Sequence, residues 1–182
     1  MTRLLLLIRH AAPEVAEGQA PYRWPLSDEG RRAAGALAPR VAAYHPVALV
    51  ASEEPKAIET AVIIGGQLGL PVATAPGLHE HRRGPSPWLG RAAWEAQIAR
   101  LFAEPETLVF GEETATQALA RFAAAVDRVL EDYPAGNVAV VAHGTVITLL
   151  MAARAGVDPM PFWRALAMPD VVVLPVGEIR NA

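Results

Sequence analysis

Two histidines in the sequence each come at the end of a short apolar run with the pattern of a buried strand. His10 follows residues 4–8 and Arg9, and His143 follows the run at 138–141. Because ligands of a parallel α/β sheet bind beyond the carboxyl ends of its strands, both imidazoles are expected at one edge. The helix expected after Gly144 would present its positive N-terminus there. A single strand-end histidine is more often structural, but two of them beside these positive groups predict a site for an anion.

Apolar runs alternate with helical patterns along the whole chain. Strands are expected at 4–8, 47–51, 72–75, 138–141 and 171–176. Ser27, Ser52 and Thr114 are suited to cap helices that extend to about 44, 69 and 132, and further helices are expected at 91–102 and 146–155. A Pro-rich turn is expected around Phe162. This alternation predicts a three-layer α/β/α fold with a mostly parallel sheet and helices on both faces. We expect a single domain over 1–182, with a small cap segment at about 76–112.

The composition excludes several classes of function. The 182 residues are 52% apolar, carry a net charge of −3 and include no cysteine. The absence of cysteine excludes disulfides, thiol catalysis and cysteine-ligated metals. No excess of basic residues points to nucleic acid or an anionic membrane, and no apolar run approaches the ~20 residues of a membrane helix. Since the apolar run after Arg3 is too short for a signal peptide, we expect a cytoplasmic protein.

Five segments resemble, in order, the motifs of the histidine phosphatase superfamily, which has the phosphoglycerate-mutase-like fold. They are LLIRHAAPE, similar to the Arg-His-Gly signature; LSDEGRRAA, similar to Leu-Ser-x-x-Gly-Arg; ASEEPKAIETA, similar to Ser-Ser-Pro-x-x-Arg-Ala-x-x-Thr-Ala; GLHEHRRG, similar to the Leu-x-Glu stretch; and VVAHGTVI, similar to the second His-Gly motif. One short motif is weak support, but five in fixed order on the expected strand and helix ends are strong support.

The resemblance implies a metal-independent phosphomonoester hydrolase that needs no cofactor. His10 would attack phosphorus and become a phosphohistidine, while Arg9 and His143 would stabilise the transferring group. Glu80 would donate the proton to the leaving group, for which we expect its pKa to be raised by burial and the incoming phosphate. The expected phosphate-binding groups are those of Arg9, Lys56, His143 and Gly144.

Two positions depart from the family pattern. Lys56 stands where the family has a second arginine, so the charge is kept but the bidentate geometry is lost. Lys56 is either part of the phosphate pocket or an ordinary solvated residue of its helix. In the second case, Arg82 or Arg83 would supply the missing cation. Ala11 stands where the family most often has glycine, which is a mild change if its φ is negative.

Other functions remain open from the sequence. A phosphoglycerate mutase would share the phosphohistidine, but the loop after His10 lacks the mutase-like Glu-x-x-Trp-Asn continuation and the segment after Glu80 is short. A non-catalytic phospho-ligand binder is suggested only by Lys56. A metal site on His79 and His81 lacks further ligands at a recognisable spacing. Glu112 or Glu113 competes with Glu80 as proton donor, although a role at the next helix start is favoured.

The substrate is not readable from the sequence. Tyr22, Trp24, Arg82, Arg83 and Trp88 are candidates for the substrate cleft, since they fit an aromatic or anionic leaving group. The expected partner is a small phosphorylated molecule, or a phosphoprotein, and the protein is expected to be a monomer or a homodimer.

Overall fold

The computed structural model describes residues 2–16, 18–84 and 90–179. A five-stranded sheet in the order β3-β2-β4-β1-β5 lies at its centre. The strands are β1 (Leu4–Arg9), β2 (Pro46–Ala51), β3 (Val72–Thr74), β4 (Asn137–Ala142) and β5 (Asp170–Pro175). The first four are parallel, and β5 pairs with β1 in the antiparallel direction. The prediction of a mostly parallel α/β sheet is confirmed.

In the described residues, seven helices surround this sheet. They are α1 (Asp28–Ala42), α2 (Pro55–Leu68), α3 (Arg91–Ala103), α4 (Ala115–Asp132), α5 (Gly144–Ala155), α6 (Pro159–Ala165) and α7 (Val176–Ile179), and a 3-10 turn spans Pro21–Arg23. None of the helices in the described parts of the chain is both long and apolar enough to cross a membrane.

The apolar strand runs are buried on both faces of the sheet. Leu5 and Leu7 of β1 face the cluster that contains Phe122 of α4, whereas Leu6 and Ile8 face the cluster formed with α1 and α2. This two-sided burial explains why the strands are continuously apolar rather than alternating. The sheet is thereby fixed between its helices, and its carboxyl edge is a rigid base for side chains.

The register of the central strands brings two chain exits to the same level. Arg9 lies opposite Ala142, and the backbone N–H of His10 donates to the Ala142 carbonyl at 3.0 Å. The N–H of Ser52 donates to the Val141 carbonyl at 2.9 Å on the other side of β4. The residues that follow β1, β2 and β4 therefore leave the sheet side by side.

Several predicted helix ends are confirmed. The Ser27 side chain accepts from the N–H of Gly30, and Thr114 with Gln117 forms a complete capping box. Gly69 ends α2 with a φ of 65°, in the left-handed region. These local patterns need no long-range contact, so the sequence alone is sufficient to predict them.

Two local predictions were wrong, and proline explains both. Ser52 does not cap α2, because the residue before a proline is held in the extended region and Glu54 has a ψ of 134°. The helix therefore starts at Pro55 with Glu54 as its N-cap residue. The Pro-rich turn around Phe162 is instead α6, which Asp158 caps and which Pro159 begins, a position where proline is well tolerated.

Candidate active site

The two strand-end histidines lie against each other at the carboxyl edge of the sheet. The ring centroids of His10 and His143 are 5.0 Å apart, with an angle of 59° between the ring planes. The Nδ1 atom of His10 lies 2.7 Å from the Ala11 carbonyl. Since a carbonyl only accepts hydrogen bonds, this contact assigns the proton to Nδ1 and leaves the Nε2 lone pair for chemistry.

Both imidazoles are buried and neutral. Burial, reinforced by His143 and Lys56, holds the pKa of His10 well below its ordinary value. Burial likewise lowers the pKa of His143, although Glu80 opposes the shift. His143 Nε2 lies 2.8 Å from the Ser52 hydroxyl, and its Nδ1 has no hydrogen-bond partner within the described residues. A neutral imidazole beside cations is the state that a nucleophile requires.

Arg9 lies against the first residue of α5. Its Nη1 donates to the Leu166 carbonyl, and its Nε is buried without a hydrogen-bond partner in the described parts of the chain. A Cβ added at Gly144 would lie 3.0 Å from Arg9 Nε and 3.1 Å from Cζ. Gly144 therefore gives the guanidinium the room to lie against the start of α5.

Ala11 fits its position without strain. Among the described non-glycine residues only His45 has a positive φ, so Ala11 meets the condition stated from the sequence. The Ala11 N–H donates to the Thr60 hydroxyl at 3.0 Å. The small side chain is fully buried beside His10.

The Glu80 carboxylate accepts hydrogen bonds from one side chain and two backbone N–H groups. Its Oε2 accepts from Arg83 at 3.0 Å and from the N–H of Thr145 at 3.2 Å, and its Oε1 accepts from the N–H of His81 at 2.8 Å. Burial alone would raise the pKa of Glu80, but Arg83, His143 and the two N–H donors together hold it well below its usual range. Burial therefore does not by itself raise the pKa of Glu80 in the ligand-free site, because these groups outweigh it. Arg83 and the N–H of His81 are close to Glu80 in the sequence, whereas His143 and Thr145 are brought beside it by the fold.

Lys56 lies inside the site and is not a solvated helix residue. Only 7% of its side chain is exposed. The Nζ atom donates to Glu54 Oε2 at 2.5 Å and to the Pro21 carbonyl at 2.7 Å. Glu54 was not identified from the sequence, and the only signal for it was a carboxylate two positions before the lysine.

A cavity of about 940 Å³ opens above these groups. Of the candidates for the substrate cleft, Tyr22, Trp24, Arg82 and Arg83 line this cavity, whereas Trp88 lies outside the described residues. Side chains that the sequence analysis missed also line it, among them Trp94, Trp163 and Arg164. The cavity is much larger than a phosphate group, so it has room for an organic leaving group.

The residues of the alternative metal site have other contacts. His81 Nε2 lies 2.7 Å from the Glu113 carbonyl, and His79 Nδ1 lies 2.9 Å from the Glu80 carbonyl. No group of three or more His, Asp or Glu side chains that is suited to hold a metal ion occurs among residues 2–16, 18–84 and 90–179.

Glu113 and Glu112 differ in their surroundings. Glu113 is buried and accepts from Arg121 and from the N–H of Arg82. It therefore fastens the loop of residues 79–83 to the start of α4. Glu112 lines the cavity, and its N–H donates to the Arg82 carbonyl at 2.8 Å.

Paired histidines and cations at the carboxyl edge of an α/β sheet are an arrangement suited to an anionic group such as a phosphoryl group. The family profile of the histidine phosphatase superfamily (branch 1) matches residues 5–176. The chain belongs to this superfamily, as its five motifs predicted.

Two of the three similar proteins described next are named as phosphatases. A glucosyl-3-phosphoglycerate phosphatase of Mycolicibacterium vanbaalenii is 30% identical over 188 residues, which cover 90% of this chain and 79% of the relative. Among solved structures, mycobacterial hydrolase 1 superposes with a TM-score of 0.72 at 28% identity and covers 96% of this chain and 92% of its own. A mycobacterial glucosyl-3-phosphoglycerate phosphatase in complex with inorganic phosphate has a TM-score of 0.66 at 29% identity, covering 89% and 83%.

Proposed function

We propose that the protein is a metal-independent phosphomonoesterase that acts through a phosphohistidine on His10. The observation that carries this proposal is the contact between the two neutral imidazoles, 5.0 Å apart, beside the cations of Arg9 and Lys56. A neutral nucleophile with preorganised positive charge around it matches the demands of phosphoryl transfer, in which charge spreads over the phosphate oxygens.

In the first step His10 Nε2 attacks phosphorus and the bond from phosphorus to the ester oxygen breaks. The leaving oxygen takes a proton from Glu80. Since Glu80 is ionised in the ligand-free site, it must gain this proton as substrate binds. The negative charge of the phosphate favours that uptake, because a like charge raises the pKa of a carboxyl group.

In the second step water attacks the phosphohistidine. The bond from nitrogen to phosphorus breaks, the Glu80 carboxylate accepts the proton of the attacking water, and inorganic phosphate leaves. His10 returns to its neutral form with the Nδ1 proton still directed to the Ala11 carbonyl. No metal ion takes part, since Arg9 and Lys56 supply the positive charge.

The cavity supports a substrate with an extended polar leaving group. Trp24 and Trp163 line the cavity with aromatic side chains against which a sugar ring packs. Arg164, which pairs with Glu95 at 3.3 Å, adds a cation to the lining for a second acidic group. The name of the Mycolicibacterium vanbaalenii relative describes a substrate of this kind, a glucosylated phosphoglycerate. We therefore propose phosphorylated sugar acids and their glycosides as the substrate class.

The test is phosphate release from p-nitrophenyl phosphate, 3-phosphoglycerate and glucosyl-3-phosphoglycerate, each with and without EDTA. We expect release that is unaffected by EDTA and lowered by about 10³-fold or more in His10→Asn, since the nucleophile is lost. His45→Asn is the matched control, because His45 is exposed and asparagine tolerates its positive φ.

Two results would overturn the proposal. One is a protein that releases no phosphate from any ester, and the other is activity that EDTA abolishes. Acid-labile labelling of the wild type by a ³²P-ester, absent from His10→Asn, is the expected sign of the intermediate.

A further inference from the structure

A buried carboxylate lies inside the proposed phosphate pocket, where a negative charge opposes the binding of phosphate. Glu54 is 7% exposed and lines the cavity together with Lys56 and His143. A buried charge is costly unless it is paired. Its contacts therefore indicate what the pocket gains from it.

One oxygen of Glu54 fixes the position of Lys56. A lysine head is a compact charge on a flexible stem, so it lacks the fixed fork with which an arginine holds phosphate. Here Nζ is held between Glu54 Oε2 and the Pro21 carbonyl, at 2.5 Å and 2.7 Å. An ammonium group has three N–H donors, so this clamp leaves one donor with a defined direction.

The other oxygen of Glu54 contacts the opposite side of the site. Oε1 accepts from the backbone N–H of Glu80 at 2.9 Å and lies 3.5 Å from His143 Nε2. The N–H of Glu54 in turn donates to Ser52 Oγ at 3.3 Å, the same hydroxyl that contacts His143. A single carboxylate thus links the lysine, the loop that carries Glu80 and the second histidine.

We propose that Glu54 is a positioning residue that makes Lys56 effective in place of an arginine. It fixes the ammonium group of Lys56 for the transferring phosphoryl group. The proposal rests on the proposed phosphatase function. In a purely electrostatic role, loss of the negative charge of Glu54 would instead strengthen the binding of phosphate. In a purely structural role, the effect of changing Glu54 would be the same with or without Lys56.

The experiment is a double-mutant cycle of Glu54→Leu and Lys56→Met, with kcat and KM measured on p-nitrophenyl phosphate. In the otherwise wild-type protein, we expect Glu54→Leu to lower kcat by about 30-fold. This is the effect of losing one charge-assisted hydrogen bond in the transition state. In the Lys56→Met background the same change should lower kcat by less than about threefold, because the group that it positions is absent.

Three further measurements complete the test. Glu54→Gln keeps an oxygen acceptor and should lose less kcat than Glu54→Leu, so it also tests the proposal if the leucine variant does not fold. Glu131→Gln, at an exposed site on α4, is the control for loss of one negative charge. Thermal unfolding of each variant separates loss of positioning from loss of fold.

The outcomes separate this inference from the proposed function. Equal losses of kcat in both backgrounds, or a Glu54→Leu variant as active as the wild type, would overturn the role of Glu54 and leave the phosphatase function intact. An inactive wild-type protein would overturn the phosphatase function and this inference with it.

Discussion

The two sides of the site are held in place by different physical means. His10 and His143 follow directly from β1 and β4, whose ladder and two apolar clusters fix them. Glu80 and Lys56 lie on a loop and at a helix start, and the contacts that hold them are mainly ionic or polar. The proposed nucleophile therefore depends on the core, whereas the proposed proton donor and the lysine depend on charge partners.

We call the side with Glu80 and Lys56 the charge-held side and the side with His10 and His143 the strand-held side. The largest expected effect on the charge-held side is that of Glu80→Gln. A positioned general acid contributes about 10²–10⁴-fold, so we expect a loss of that size in kcat on an alkyl phosphate. The loss should be much smaller on p-nitrophenyl phosphate, whose leaving group needs little protonation. Comparison of kcat on the two esters is the measurement.

Glu112→Gln is the competing variant, because Glu112 also lines the cavity. If Glu112→Gln and not Glu80→Gln showed the dependence on leaving group, the assignment of the proton donor would be wrong.

A smaller effect is expected on the strand-held side from Gly144→Ala. The added methyl would lie 3.0 Å from Arg9 Nε, so the guanidinium must shift by a few tenths of an ångström. We expect kcat/KM to fall by about 10-fold, because the guanidinium is then misplaced for the transferring group. Steady-state kinetics on p-nitrophenyl phosphate measure it.

Gly66→Ala in α2 is the matched control, since nothing lies within 4 Å of an added Cβ there. It should keep its activity and gain stability, because alanine favours a helix over glycine. An unchanged kcat/KM in Gly144→Ala would show that Arg9 does not depend on this space.

The smallest expected effects are those of pH on the free energy of unfolding. His10 on the strand-held side and Glu80 on the charge-held side should change it in different pH ranges. The pKa of His10 is lowered in the folded protein, so the unfolded chain binds the proton first. Stability should therefore fall as the pH drops below the unfolded value near ~6.5, by up to about 1.4 kcal/mol per pH unit for each such histidine. Urea unfolding at pH 7 and pH 5 should show a shallower fall for His10→Asn.

Glu80 should act in a lower pH range. Its pKa is also lowered in the folded protein, so its contribution is present above the unfolded value of about 4.3 and is lost as the pH falls further toward the folded value. Glu80→Gln should therefore change the pH dependence of unfolding only below about pH 5. A change for this variant between pH 7 and 5 instead would contradict the ionised state assigned to Glu80.

The sequence predicted the strand-held side better than the charge-held side, for a physical reason. Apolar runs that end in histidine define their own strands, so the meeting of His10 and His143 follows from the rules for parallel sheets. The surroundings of Lys56 do not follow in this way. They depend on the Pro21 carbonyl, which lies 35 positions away in sequence. They also depend on the start of α2 at Pro55, which makes Glu54 the N-cap residue in place of Ser52.

The same limit applies to part of the surroundings that lower the pKa of Glu80 in the ligand-free site. The motif identified the carboxyl group, but Arg83 and the N–H of Thr145 determine its ionisation. Thr145 is 65 positions away and reaches Glu80 only because α5 begins at the sheet edge. A local sequence pattern does not predict a contact between residues that are so far apart in the sequence.

The pairing of β1 has a consequence for the order in which the enzyme forms. Leu5 lies beside Val138 on one side and beside Leu174 on the other, so among the described residues β1 pairs with β4 and β5, which come far later in the sequence. Closing so long a loop costs entropy, and on the ribosome β1 has neither partner until β4 has been made. Activity should therefore appear only after β4 and β5 have joined β1, which makes phosphate release a direct readout of complete folding.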